Sequence, residues 1–240
     1  MRLQRRVFAD PDVKPWAGEI RLTPQMLIAV AIAVVAIDLA PVELQVHAAP
    51  TVPAAIVEEA LREAEALWRR NGIAIVTQTT SCEAEADRLS DSGAMPAAVV
   101  PLDVEFDDAT STAKDYTVPI GSIVFNNHVA VPDIHLSYAN ALWLLRDVYG
   151  DGGVNTMTTI ERRTRLARAL GRALAHEIGH YLLASKDHTS QGLMKAQHKA
   201  GELFGPSRHP FELTESQRSA AVARLADQGT SGVFTRRYPR

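Results

Sequence analysis

The sequence predicts an α/β fold of the α+β kind, and three stretches carry that prediction. Residues 42–76 read as strand, amphipathic helix and strand, residues 158–184 read as one long helix, and a second capped helix opens at Thr214. With 240 residues, 46% hydrophobic and 22% charged, the chain can build one sizeable core and a small subdomain, which excludes a wholly disordered chain. The formal net charge of −3 supplies no pull toward nucleic acid, and no nucleic-acid partner is expected. A single cysteine, Cys82, can neither close an intrachain disulfide nor build a cysteine zinc knuckle. Any metal therefore has to be held by His, Asp or Glu.

Along the chain, residues 26–37 form an uncharged apolar run preceded by Arg2, Arg5, Arg6, Lys14 and Arg21. That order is the one found in export signals. The run is short of the roughly 20 residues a bilayer span needs. Residues 1–40 are thus expected to be a tail with a signal or membrane anchor, a buried core segment being the alternative. Val42 to Val46 reads as a strand, and Thr51 and Pro53 open a helix whose Ile56, Ala60, Ala64, Leu67 and Trp68 face inward. Asn71-Gly72 closes it, and Ile73 to Val76 reads as the next strand, completing a strand-helix-strand unit. Polar residues 79–96 read as a loop before a strand at 97–106, and a second polar stretch, 107–117, precedes a strand at Ile120 to Phe125.

Tyr138 to Val148 reads as a helix closed by the Gly150-Asp151-Gly152-Gly153 turn. Thr158 and Glu161 have the spacing of a capping box, and no proline interrupts the chain from there to Pro206. Thr214 and Gln217 repeat the box ahead of a last helix with Ala221, Val222 and Leu225 inward. The terminal residues 235–240 are expected to be loose.

The chemistry concentrates in Ala175-His176-Glu177-Ile178-Gly179-His180, an HExxH pattern. Four residues apart on a helix, His176 and His180 project from one stripe and can grip one metal ion. Leu170, Leu174, Ile178 and Tyr181 form a second apolar face, so this helix is expected between layers. Two imidazoles and a carboxylate are costly to bury there unless a cation is present. Mid-helix Gly171 and Gly179 predict close packing. A catalytic zinc ion takes three protein ligands and keeps a position open. His188 is the leading third ligand, with Asp187 and Glu202 as alternatives; Asp187 can otherwise orient His188.

His176-Glu177-Ile178-Gly179-His180, then His188, then Gly192-Leu193-Met194 resembles the metzincin clan of zinc metallopeptidases, most nearly its small bacterial members. The resemblance is strong over about residues 170–196 and extends in element order back to about residue 42. It implies a twisted mixed sheet, a catalytic subdomain 41–184 ending in the active-site helix, and a mostly helical C-terminal subdomain 185–240. It implies one catalytic Zn2+ on His176, His180 and His188 and Met194 as the methionine turn beneath it, while the run 26–37 is what points to an exported or membrane-anchored, extracytoplasmic setting, the cytoplasm being the alternative. Glu177 would act as general base toward a water made acidic by the ion. An edge strand carrying Ile123, Val124 and Phe125 would pair with an extended peptide or protein substrate. One departure stands out. The usual motif has Gly three residues after the second His and the third His six after it, whereas here Leu183 replaces that Gly and His188 comes eight residues after His180. The helix exit has to differ.

Two other classes compete with a metalloendopeptidase. A metal-dependent ribonuclease built on His-x3-His-x5-His would need neither Glu177 nor this spacing. A non-catalytic zinc-stabilised or peptide-binding module, if its zinc is structural, would need a fourth ligand such as Asp187, His198 or His209. Tyr138 and Tyr181 are weighed as oxyanion helpers against core or rim roles, and His128 and His135 as cleft residues against loop residues. His47 reads as a strand residue, and Leu203, Phe204 and Phe211 are candidates for a pocket wall.

Overall fold

Alternating apolar residues set the strands. The computed structural model describes residues 40–79, 100–108 and 119–230. Strand β1 (Val42–Ala48) lies inside a five-stranded mixed sheet. Helix α1 (Ala54–Arg70) leads from it to β2 (Ile75–Thr79), which pairs with it in parallel, and β3 (Val100–Asp107) pairs in parallel on its other side. β4 (Gly121–Asn126) and β5 (Val129–Ser137) form a hairpin; β5 continues the sheet parallel to β3, and β4 runs antiparallel to β5. Among the described residues the order β2-β1-β3-β5-β4 leaves β4 at an edge, as expected for Ile120 to Phe125.

Within β3, Leu102, Val104 and Phe106 are buried while Asp103 and Glu105 are exposed, so one sheet face packs and the other is polar. The packed face is covered by α1 and by α3 (Thr159–Leu183), the long helix that carries His176 and His180. Between β5 and α3 runs α2 (Tyr138–Thr156). The chain ends, among the described residues, in a short α4 (Ala200–Phe204), a 3-10 turn at His209–Phe211 and α5 (Glu215–Thr230).

Several sequence expectations shift. The second strand begins at Ile75, and Ile73 is buried ahead of it as part of the turn after Gly72 (φ 78°). The turn expected over 150–153 contracts to Gly150, at φ 69°, after which helical structure resumes to Thr156. Thr158 accepts the Glu161 N–H at 3.1 Å, but the Glu161 carboxylate turns to Arg165 instead of closing the box. At Thr214 and Gln217 the box is complete in both directions, at 3.0 and 3.3 Å. β5 and α4 were not expected. The export or anchor run 26–37 and the tail 235–240 lie outside the described residues, as do 97–99 of the third strand. No helix among the described residues is long and apolar enough to cross a membrane.

Both mid-helix glycines sit at close approaches. A Cβ on Gly171 would come within 2.4 Å of the Ala60 carbonyl oxygen of α1, and one on Gly179 within 2.3 Å of Met194 Sδ. Trp68, buried in α1, donates its indole N–H to the Ala175 carbonyl at 3.2 Å, so α1 grips α3 one residue before His176.

Candidate metal centre

α3 carries His176 and His180 one turn apart, and the chain beyond its C-terminus returns with His188. The three residues offer ligand atoms that all lie within 4.8 Å of one another. Nε2 of His176 stands 3.0 Å from Nε2 of His180 and 3.3 Å from Nε2 of His188. Two nitrogens at roughly 2.0–2.1 Å from a tetrahedral ion are about 3.3 Å apart, so the spacing suits a metal ion.

The outer nitrogens explain why the inner ones converge. His176 Nδ1 donates to the Leu193 carbonyl at 2.8 Å, and His180 Nδ1 donates to the Ser185 carbonyl at 2.7 Å. A carbonyl only accepts, so each Nδ1 holds the proton and, in a neutral ring, each Nε2 presents a lone pair. Burial lowers both histidines, His176 to about 4, and keeps them neutral. Two lone pairs 3.0 Å apart are not a hydrogen bond; they are a repulsion that a cation relieves. The donor set therefore fits a metal ion, held by three imidazoles, two of them oriented by backbone.

The helix exit is where the sequence departs from the metzincin pattern, and the structure supplies a local solution. α3 ends at Leu183, and Ala184 takes the left-handed conformation at φ 49°. Its N–H reaches the Tyr181 carbonyl at 3.2 Å and the Ser185 N–H reaches the His180 carbonyl at 3.4 Å, the paired bonds of a Schellman turn. That turn aims the Ser185 carbonyl at His180. Beyond His188, the bridge Thr189 to Lys195 closes a loop around Gly192 (φ 79°), a residue whose Cβ would meet the Glu212 carbonyl oxygen at 2.5 Å. This loop presents the Leu193 carbonyl to His176 and packs buried Met194 against Gly179.

Glu177 is 7% exposed, and burial pushes its carboxyl up to about 7. It lies against the edge strand, since a Cβ on Gly121 would stand 3.2 Å from Glu177 Cγ and 3.3 Å from Ala173 Cβ. At the other end of β4, the Phe125 ring meets the His180 ring edge-on, with centroids 6.1 Å apart. Ile123 and Phe125 are half-buried toward the core, while Val124 is 43% exposed on the opposite face.

The remaining candidates are not drawn to this centre. Glu202 accepts from Lys195 Nζ at 2.9 Å and from the Lys199 N–H at 3.0 Å, and the Lys195 bond above all holds its carboxyl down to about 2. His198 stacks on Phe211 at 4.5 Å, and His209 is 84% exposed beside Glu212. Asp187 is exposed, and among the described residues the three-histidine group includes no carboxylate. Tyr181 is buried under Arg224, and Tyr138 packs on the core. His135 pairs with Glu105 and Asp133 on the sheet, each at 3.3 Å, while His128 occupies the β4–β5 turn at φ 67° and His47 is a strand residue as expected. Leu203, Phe204 and Phe211 are core residues, 8%, 0% and 1% exposed, so they form no pocket wall.

Three contributors escaped the sequence reading: the Ser185 and Leu193 carbonyls and Gly121. Backbone acceptors carry no residue signature. Gly121 had one, because a glycine in a strand marks a close approach. The chain matches no protein-family model, and no curated protein matches it significantly.

Proposed function

We propose that the protein is a zinc-dependent metalloendopeptidase. The observation that carries the reading is the convergence of three imidazole Nε2 atoms, two fixed by backbone carbonyls, directly beside buried Glu177 at a sheet edge that is unpaired among the described residues. Imidazole donors in a compact group suit zinc, and zinc would supply Lewis acidity toward a substrate carbonyl and toward water. His176, His180 and His188 would hold it. Glu177, too near His176 in the chain to turn its carboxylate onto the same ion, would take the proton from the attacking water and hand it to the leaving amine. Burial alone raises its carboxyl, and the cation would favour the ionised carboxylate that accepts the proton. The open edge of β4 would hold an extended peptide by backbone hydrogen bonds across Glu177.

A closed structural site is disfavoured, because none of Asp187, His198 and His209 joins the three histidines among the described residues. The deciding experiment pairs zinc analysis with substitution. The dialysed full-length protein should retain about one zinc per chain. Glu177→Ala should keep that zinc and lose peptide hydrolysis by about 100-fold or more. Unchanged turnover in that variant would remove Glu177 from the chemistry, and a folded protein without zinc would end the peptidase reading.

A further inference from the structure

We infer that Lys186, seated against Phe125 at the end of the edge strand, recognises a carboxylate on the substrate, which gives the site a preference for peptides that place a carboxylate there. The inference rests on the peptidase reading and deepens it. β4 spans the site from Gly121, packed on Glu177, to Phe125, packed on His180. A peptide paired with its free edge therefore passes Glu177 and continues to the Phe125 end. There the Lys186 ammonium lies 4.8 Å from the Phe125 ring centroid. A cation over a ring face is held in place by the ring's quadrupole, while its N–H donors on the outer side stay available.

Lys186 is exposed, and among the described residues its partner is that ring. The lysines elsewhere near the loop differ, since Lys195 is committed to Glu202 at 2.9 Å. Position in the chain sharpens the point. Lys186 follows Ser185, whose carbonyl orients His180, and precedes His188 by two residues, so both flanks of the lysine are tied to the metal ligands. Asp187 beside it is exposed, and its backbone N–H is engaged by Ser185 Oγ at 3.0 Å. The shared chemistry of the ligand is a carboxylate, from an Asp or Glu side chain or from a free peptide C-terminus.

The test uses zinc-loaded full-length protein and two peptide sets: amidated peptides scanned with Asp or Glu around a neutral centre, and neutral peptides ending in a free carboxylate. Initial cleavage rates are read by mass spectrometry, and binding is read by fluorescence anisotropy on zinc-loaded Glu177→Ala. Acidic peptides should exceed their alanine counterparts by about fivefold in both readouts, the scale of an exposed ion pair, with the advantage shrinking as salt rises. In Lys186→Ala the acidic-to-neutral ratio should fall to about one, and Lys186→Glu should invert it toward lysine peptides, with zinc content unchanged in both. An advantage found with the amidated set assigns the carboxylate to a side chain, and one confined to free termini assigns it to the peptide end; either supports the inference. Cleavage without charge preference, or a preference that survives Lys186→Ala, overturns the inference and leaves the peptidase reading standing. Lys186-dependent binding with no cleavage by the wild-type protein keeps the carboxylate site and overturns the peptidase reading. Absence of both binding and cleavage overturns both.

Discussion

The orientation of His180 depends on a residue outside the three-histidine group. Ala184 adopts φ 49° so that the chain can leave α3, place Ser185 under the imidazole and bring His188 round. A left-handed residue with a Cβ pays a steric penalty of roughly 1–2 kcal/mol, partly offset by the entropy that a glycine would lose. Ala184→Gly should therefore stabilise the zinc-loaded protein by about 0.5–1 kcal/mol in urea unfolding, with the proposed hydrolysis unchanged. A loss of stability would mean that the Schellman turn is not what closes this helix. The same residue shows what the sequence could and could not say. His176, Glu177 and His180 were legible because a helix converts a spacing of four into a shared stripe. The exit was not, because the glycine that usually announces it is absent: Leu183 is the last helical residue and an ordinary alanine takes the strained position. His188 was legible only as one of three options, and it is backbone geometry that singles it out.

At the scale of elements, α3 is held by its crossing with α1. Gly171 lets the Ala60 carbonyl and Glu63 approach, and next to it the buried Arg172 guanidinium bonds Glu63 at 3.0 Å, which Arg208 also binds at 2.6 Å. Arg172 donates as well to the carbonyls of Glu202 and Leu203, which fastens α4 to the same crossing. Gly171→Ala puts a methyl group against backbone, where no side chain can swing aside, and should cost about 1–3 kcal/mol in urea unfolding. A neutral result would show that the helices can separate without loss. The strand-helix-strand opening and the capped helices were readable because periodicity and caps are local. β5 was not, since Pro132 interrupts it and Asp133 and His135 break its apolar run. Its register against β4 slips between Ile123 and Phe125, so that Pro132 falls where the ladder is irregular and the missing N–H is tolerated. α4 was missed for a different reason. Five residues are too few for a helical period, and its stability comes from Arg172 and Lys195, both distant in sequence or outside the helix.

For the whole molecule, the candidate metal centre would tie stability to pH, and the sign follows from two opposed groups. In the metal-free protein His176 titrates at about 4 in the fold against 6.5 when exposed, so the unfolded chain binds more protons in that window. That group alone makes stability rise with pH up to about 6.5. Glu177, raised to about 7 from 4.5, binds its proton more tightly in the fold, and that group alone makes stability fall as pH rises from about 4.5 to 7. Their slopes oppose one another where the windows overlap. A bound cation leaves the His176 slope in place, because it too requires a neutral imidazole, and removes the Glu177 slope, because it favours the carboxylate. His176 is already neutral in the metal-free fold above about pH 4, so from pH 5 to pH 7.5 the two forms differ through Glu177, whose charged form burial disfavours and a cation favours. The difference in melting temperature between zinc-loaded and chelator-treated protein should therefore widen steadily from pH 5 to pH 7.5. It should reach about 5–10 °C when free zinc exceeds its dissociation constant about 100-fold. A difference that stays constant over that range would mean that Glu177 is not coupled to the ion, and the buried carboxylate would then need another partner.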